Sequence, residues 1–371
     1  MANLGLEGLN EQAVAGMARG KPQGATLSEL EGTFGAGHRH VGTFSRPLAM
    51  RWTQLPDTPN APGVGGAFAG AHGDILLVAG GSNFPDKPFW EGGAKAWHDT
   101  VYALKPKGKV WKKVGKLPKP LAYGVSIGIR QGLLCIGGAD ALRHYADCHI
   151  LSLSEDGDLR TDSFPELPRP LAYAAGALVG SKVIVAGGTE RPDATASSSA
   201  AYAIDLANLN AGWKELPLWA GSGRLLAQAA GTKDTFFLIG GVALKPGPKG
   251  TEREHLSDCH AFRLGKEWRR IADLPRPIAA AATPCPVVGP IIALIGGDDG
   301  SLNGKQDPAT HPGFGKGILT YDTQFDAWAE SGEAPIGRVT LPCARWNGGF
   351  VLVNGETSPA CRSKEAWHAT A

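Results

Sequence analysis

The segment "VLVNGETSPACR", Val351 to Arg362, places a carboxylate, Glu356, six residues ahead of a guanidinium, Arg362. A carboxyl group can take and return protons, and a planar guanidinium can grip an anion through two parallel donors. A second concentration of functional groups lies in "GGSNFPDKPFWEGGAKAWHDTVY", with Asn83, Phe84, Trp90, Lys95, Trp97 and His98 in one stretch. Aromatic rings beside amide and ammonium donors suit a sugar, whose apolar ring face stacks while its hydroxyls are hydrogen-bonded. The bland alternative is a solvated turn glutamate and aromatics that pack the loop against its neighbour; residue type alone leaves both open.

The elements that must carry these groups repeat. Apolar runs closing on a glycine pair, "LLVAGG", "LLCIGG", "VIVAGG", "FLIGG" and "ALIGG", recur at steps of 50 to 58 residues, and the sixth copy ends on Asn354-Gly355. Each is preceded by a small-residue strand such as "AYGVSIGI" and followed by an amphipathic one such as "DTVYALK" or "SDCHAFRL". A tryptophan strand then closes the unit, as in "VWKKVGKLP" and "EWRRIADLP", with Phe164 near the tryptophan place in the second copy. A period near 50 with a Gly-Gly doublet is the kelch signature, one four-stranded blade per copy. The sixth copy stops before its tryptophan strand, and "RWTQLPDTP" around Trp52 supplies it from the front, sealing two open edges. The expectation is an all-β, six-bladed kelch-type propeller over 48–371, its last blade closed by the strand around Trp52. Residues 1–47 form an extension with little periodicity, room for one short helix over Glu11–Met17, and poor order.

Every post-doublet loop opens on one face around the channel, the place for a site on a rigid propeller. The residues directly after the doublets are Ser82, Ala139, Thr189, Val242, Asp298 and Glu356, so the repeat itself requires nothing there. Repeat position also maps Arg143, His144, Arg224, Gln228 and Arg338 to this face.

Composition excludes several classes. With 43% hydrophobic and 19% charged residues the chain reads as a globular protein, and 52 glycines with 27 prolines imply many tight turns. A net charge of +2 offers no basic face for nucleic acid. Apolar runs are far shorter than the roughly 20 residues of a membrane span, and no apolar signal core precedes the repeats. That absence points to the cytoplasm. The six cysteines form no CxxC pair; Cys148 and Cys259 occupy one repeat slot and read as small core hydrophobes, as do Cys135 and Cys285. His255 and His260 lack a zinc-helix pattern, and neither a phosphate loop nor a nucleophile elbow occurs, so no metal and no cofactor is expected.

"GGAFAGAHGDILLVAGGSNFP", "KAWHDTVYAL", "LAYGVSIG" and "VNGETSPACR" together resemble the N-acetylneuraminate epimerases, or sialic acid mutarotases, kelch propellers of bacterial sialic acid metabolism. The blade order is similar to the cyclically permuted branch of that family, with Leu121 where the other branch carries an arginine. The resemblance implies that Glu356 and Arg362 are the active-site pair, that the partner is a small acidic sugar, and that the setting is the periplasm. Mutarotation of a 2-keto sugar acid needs a base for the anomeric hydroxyl and an acid for the ring oxygen. Glu356 is expected as the initial base and Arg362 as the carboxylate clamp, with His98, His144 or Tyr123, or water, as the second proton donor. Two rivals stand beside this reading: a non-catalytic carbohydrate- or protein-binding kelch module, and a sialidase-type glycosidase. The latter's Asp-box turns are lacking; the nearest string, "SEDGDLRT", has its glycine one place early and no tryptophan.

Overall fold

A glycine doublet stops a strand because both its residues adopt the left-handed backbone region, as at Gly80 (φ 65°) and Gly81 (φ 96°). In the computed structural model, which describes residues 48–247 and 250–371, the doublets punctuate six four-stranded antiparallel sheets. The first blade comprises Phe68–His72, Ile75–Ala79, Thr100–Leu104 and Lys112–Lys116, from the channel outward. The second has Val125–Ile129, Gly132–Ile136, Cys148–Leu153 and Leu159–Phe164, and the third Ala175–Val179, Lys182–Ala186, Ala201–Asp205 and Lys214–Glu215. The fourth has Gln228–Gly231, Thr235–Ile239, Cys259–Arg263 and Trp268–Ile271, and the fifth Val287–Val288, Ile291–Ile295, Gly317–Asp322 and Ala327–Glu333. The sixth joins Cys343–Trp346, Gly349–Val353 and Ala366–Thr370 to Arg51–Leu55, with Trp52 opposite Ala369. The ring thus closes by pairing its two ends. The expected extension over 1–47 and its short helix lie outside the described residues. Among the described residues no helix is long and apolar enough to cross a membrane.

Second strands are buried at four or all five of their positions because each blade is covered on both faces, so they read as continuous apolar runs rather than alternations. Between the second and third blades, Ile127, Leu134 and Ile136 pack on Val183, Val185 and Tyr202. The repeat tryptophans bridge blades: the indole N–H groups of Trp111, Trp213, Trp268 and Trp328 donate to the carbonyls of Pro56, Pro165, Pro217 and Ala272 at 2.7–2.8 Å. Phe164 does not hold the tryptophan place. It pairs with Cys148 as Ile271 pairs with Cys259, so Thr161 stands where Trp268 does. All six cysteines are free, and only Cys361 is exposed.

The turn leading into each inner strand contains a residue of positive φ: Gly66, Tyr123, Tyr173, Leu226, Ala280 and Thr340, between 52° and 65°. Left-handed non-glycine residues are costly, about 1–3 kcal/mol each, and here a closed circuit of hydrogen bonds holds them. Each N–H donates to the carbonyl of its counterpart in the preceding blade, from Tyr123 to Gly66 and round to Gly66 on Thr340, at 2.7–2.8 Å. The residues just before them (Gly65, Ala122, Ala172, Leu225, Ala279 and Val339) bridge to the six post-doublet residues. Six copies of one turn therefore build a floor across the channel, and side chains after the doublets stand around its edge.

Candidate active site

Glu356 and Arg362 sit on a two-stranded ribbon, Glu356–Ser358 with Cys361–Arg362, in which the two residues are direct cross-strand partners. The turn between them includes Ala360 at φ 59°, whose N–H donates to Glu356 Oε1 at 2.9 Å. Arg362 Nη1 lies 2.7 Å from the same oxygen, and the two side chains are 3% and 17% exposed respectively. Asn354 replaces the first glycine without altering the turn, at φ 59°, since asparagine tolerates the left-handed region best among other residues. Its buried amide oxygen accepts from the Thr58 hydroxyl at 2.6 Å.

Arg362 is held on several sides. Its Nε donates to the Ser82 carbonyl at 3.3 Å, and its guanidinium stands 5.8 Å over the Phe84 ring. Burial works against its charge, but Glu356 and the Tyr123 phenol outweigh that and hold it above the ordinary arginine value. The Ser82 hydroxyl donates to the Tyr123 oxygen at 2.8 Å. Over the Tyr123 ring lies Lys95 Nζ, 4.4 Å from its centre and 5.2 Å from that of Trp97. Tyr173 stacks at 4.7 Å, and burial, with the Tyr123 and Glu356 charges adding, pushes its phenol well up. His144 meets Tyr173 edge-on at 5.9 Å while its Nδ1 donates to the Thr189 carbonyl at 2.9 Å. Burial lowers its pKa, so the imidazole is neutral with Nε2 as an acceptor.

Most of these side chains, though not Ser82 or Phe84, border one cavity of ≈ 660 Å³ above the floor, large enough for a monosaccharide. Its ionised lining comprises Lys95, Arg191, Arg253 and Arg362 against Asp140 and Glu356, a surplus of positive charge. Arg253 reaches it from a hairpin of the fourth blade, Val242–Gly247 with Gly250–His255.

Of the residues expected from sequence, Glu356, Arg362, Lys95, Trp97, Tyr123 and His144 border the cavity, and eight others do not. Asn83 is fully buried, donating to the Gly63 carbonyl and sharing its amide oxygen with His98 Nε2, both at 2.9 Å, so the pair pins the loop base. Phe84 lies beneath Arg362, Trp90 stacks edge-on against Phe89, and exposed Arg143 leans on Tyr145. Arg224 is 0% exposed and spends its donors on the Gly240 and Asp258 carbonyls and the Asp258 carboxylate. Arg338 likewise donates to the carbonyls of Asn354 and Glu365, and burial lowers its pKa to about 10. Gln228 donates to the Leu226 carbonyl. Leu121, Arg224 and Arg338 share one repeat position, whose carbonyl accepts from the second doublet residue, Gly81, Gly188 and Gly297 in turn. That position points its side chain behind the doublet, which corrects the placement of both arginines at the substrate and takes Leu121 out of the comparison. Repeat phase gives the face of a blade but not the direction of a side chain.

Sequence reasoning missed Asp140, Tyr173, Arg191 and Arg253. Tyr173 had a signal, since "LAYA" copies the "LAYG" that carries Tyr123. Arg253 had a weaker one in the long "VALKPGPKGTEREH" insertion.

Fold and site together define a six-bladed kelch-type propeller with an acid–cation pair beside a positively charged, aromatic-lined cavity. A sequence profile described as N-acetylneuraminate epimerase matches residues 36–160. The N-acetylneuraminate epimerase of Brucella suis is 44% identical over 110 residues, 26% of this chain and 28% of that protein. That of Haemophilus influenzae is 38% identical over 134 residues, 31% of this chain and 35% of that protein. The chain thus spans about a third or less of the curated relatives it matches. A solved structure of YjhT superposes with a TM-score of 0.63 over 84% of this chain and 95% of that one, at 16% identity, a likeness of fold. The matched segment contains the aromatic loop, Tyr123 and His144, and ends well before Glu356.

Proposed function

We propose that the cavity catalyses mutarotation of an acidic 2-keto sugar, N-acetylneuraminate or a close relative, an isomerase activity. The observation that carries this is the Glu356–Arg362 contact of 2.7 Å at the wall of a cavity with surplus positive charge. The Glu356 carboxylate takes the proton of the anomeric hydroxyl; the ring C–O bond breaks as the ring oxygen is protonated. The free ketone rotates, and reclosure on its other face returns both protons. Such proton-transfer assistance is worth about 10²–10⁴-fold in rate. The names of the partial relatives support the same substrate class.

The geometry changes one expected role. Arg362 is almost wholly buried, with its guanidinium against Glu356, Tyr123 and the Ser82 carbonyl, so it orients the Glu356 carboxylate rather than meeting the substrate. The substrate's own carboxylate falls to Lys95 and Arg253, cavity cations that pair with no carboxylate among the described residues. The test is proton NMR of freshly released α-N-acetylneuraminate: the protein should speed its approach to the β anomer. Equilibration at the buffer rate for several sugar acids would return the chain to the binding-module reading, and release of sugar from a sialoside would make it a hydrolase.

A further inference from the structure

Mutarotation needs a second proton carrier, and the cavity holds one in a defined hydrogen-bonding state. We propose that Tyr123 is the general acid that protonates the ring oxygen, an inference that rests on the mutarotase reading. The Ser82 hydroxyl is fully buried, and its one hydrogen-bond partner among the described residues is the Tyr123 oxygen, at 2.8 Å. Were Tyr123 to donate in this contact, the Ser82 O–H would be left buried without an acceptor, an arrangement native structures avoid. Ser82 therefore donates and Tyr123 accepts. The phenolic hydrogen remains free to point into the cavity that Tyr123 lines.

The surroundings also suit a phenol that gives up a proton transiently. The Ser82 carbonyl ties Arg362 Nε at 3.3 Å, so the guanidinium that holds Glu356 also flanks the phenol. Lys95 Nζ stands 4.4 Å over its ring. One guanidinium and one O–H donor thus stand at the oxygen that would carry negative charge, with an ammonium over the ring, all placed before the reaction begins. The other candidates fare worse. His98 has its Nε2 on buried Asn83 outside the cavity wall. His144 is neutral, and its N–H is taken by the Thr189 carbonyl.

The step balances. Glu356 accepts the anomeric proton, Tyr123 donates to the ring oxygen, and the C–O bond between them breaks to give ketone and free hydroxyl. On reclosure that hydroxyl attacks the other ketone face, its proton returns to the phenolate, and the Glu356 carboxyl reprotonates the new anomeric oxygen. No oxidant or metal enters.

The test is Tyr123→Phe, which keeps the ring, its stacking and its backbone conformation. With N-acetylneuraminate and NMR exchange rates, kcat should fall by about 10²-fold or more with KM changed less than threefold. Added small general acids, imidazolium for instance, should restore part of the rate in the variant in proportion to their concentration, which a merely structural tyrosine would not allow. Unfolding temperature and calorimetric affinity for the sugar check that the site is intact. A wild type active on the sugar with a Tyr123→Phe variant within twofold of it overturns the assignment to Tyr123. A folded, sugar-binding variant that is slow but not rescued assigns the acid to water and overturns it too. A wild type inert towards sugar acids removes the mutarotase reading itself, and the role of Tyr123 with it.

Discussion

Glu356→Gln separates what the acid does from what it holds. Glutamine keeps the shape and an oxygen acceptor for the Ala360 N–H and for Arg362, but it cannot take up a proton. Loss of the base costs about 10²–10⁴-fold in the rate of anomer exchange. The structural cost follows from Arg362, 3% exposed, exchanging a charged acceptor for a neutral one. A hydrogen bond to a charged group contributes about 1.5–3 kcal/mol and a neutral one about 0.5–1.5, so about 1–2 kcal/mol is lost. At about 2.1 cal/mol/K of unfolding entropy per residue, that lowers Tm by about 1.5–3 °C. Exchange is followed by proton NMR and unfolding by circular dichroism. Removing both charges, with Glu356→Leu and Arg362→Met together, should recover much of the Tm because an apolar pair avoids burying an unpaired charge, yet stay inactive. If Glu356→Gln remains within tenfold of an active wild type, the carboxylate is not the base and the reasoning fails.

Other consequences can be measured on the same footing. Arg253→Ala should raise KM for the acidic sugar several-fold with kcat little changed, and should leave binding of a carboxyl-esterified analogue unaltered; equal loss for both compounds would deny it the anion. Arg224→Met should destabilise the fold by up to about 3–5 kcal/mol, because it strips donors from the Asp258 carboxylate and two buried carbonyls, while the KM of the surviving folded protein stays put. Asp258 is held well below the usual carboxylate range: burial pushes it up, but hydrogen bonds from His260 and Arg224 more than reverse this. Its contribution is therefore complete above the unfolded carboxylate value, about pH 4, and is lost as pH falls through the lower folded value. Chemical denaturation across pH 2–6 should show that acid limb flattened in Asp258→Asn.

The blade count was legible because its signals are local. Doublets demand left-handed backbone, second strands are apolar on both faces, and each repeat tryptophan lies in or just before an outer strand; none of these depends on distant residues. The exception at Asn354 was legible as an exception for the same reason. Phe164 was misplaced by three residues because the second copy carries threonine at the tryptophan position, and only strand register revealed it. Arg224, Gln228 and Arg338 were assigned to the right face and the wrong side of the wall.

The sequence by itself determined the ring of six, its closure through the strand around Trp52, and an acid and a guanidinium six residues apart at the head of the last loop. Backbone dihedral preference and short-range hydrophobic period are enough for that. Only the tertiary structure decided which side chains share a cavity. Ser82 meets Tyr123 across 41 residues of chain, and Arg253 reaches the cavity from a different blade. Tyr123 lies where it does because the neighbouring blade has Gly66, where a Cβ would stand 2.5 Å from the tyrosine ring. Side-chain direction at a shared repeat position is set by what the adjacent blade leaves room for, and that information is spread across the whole circle.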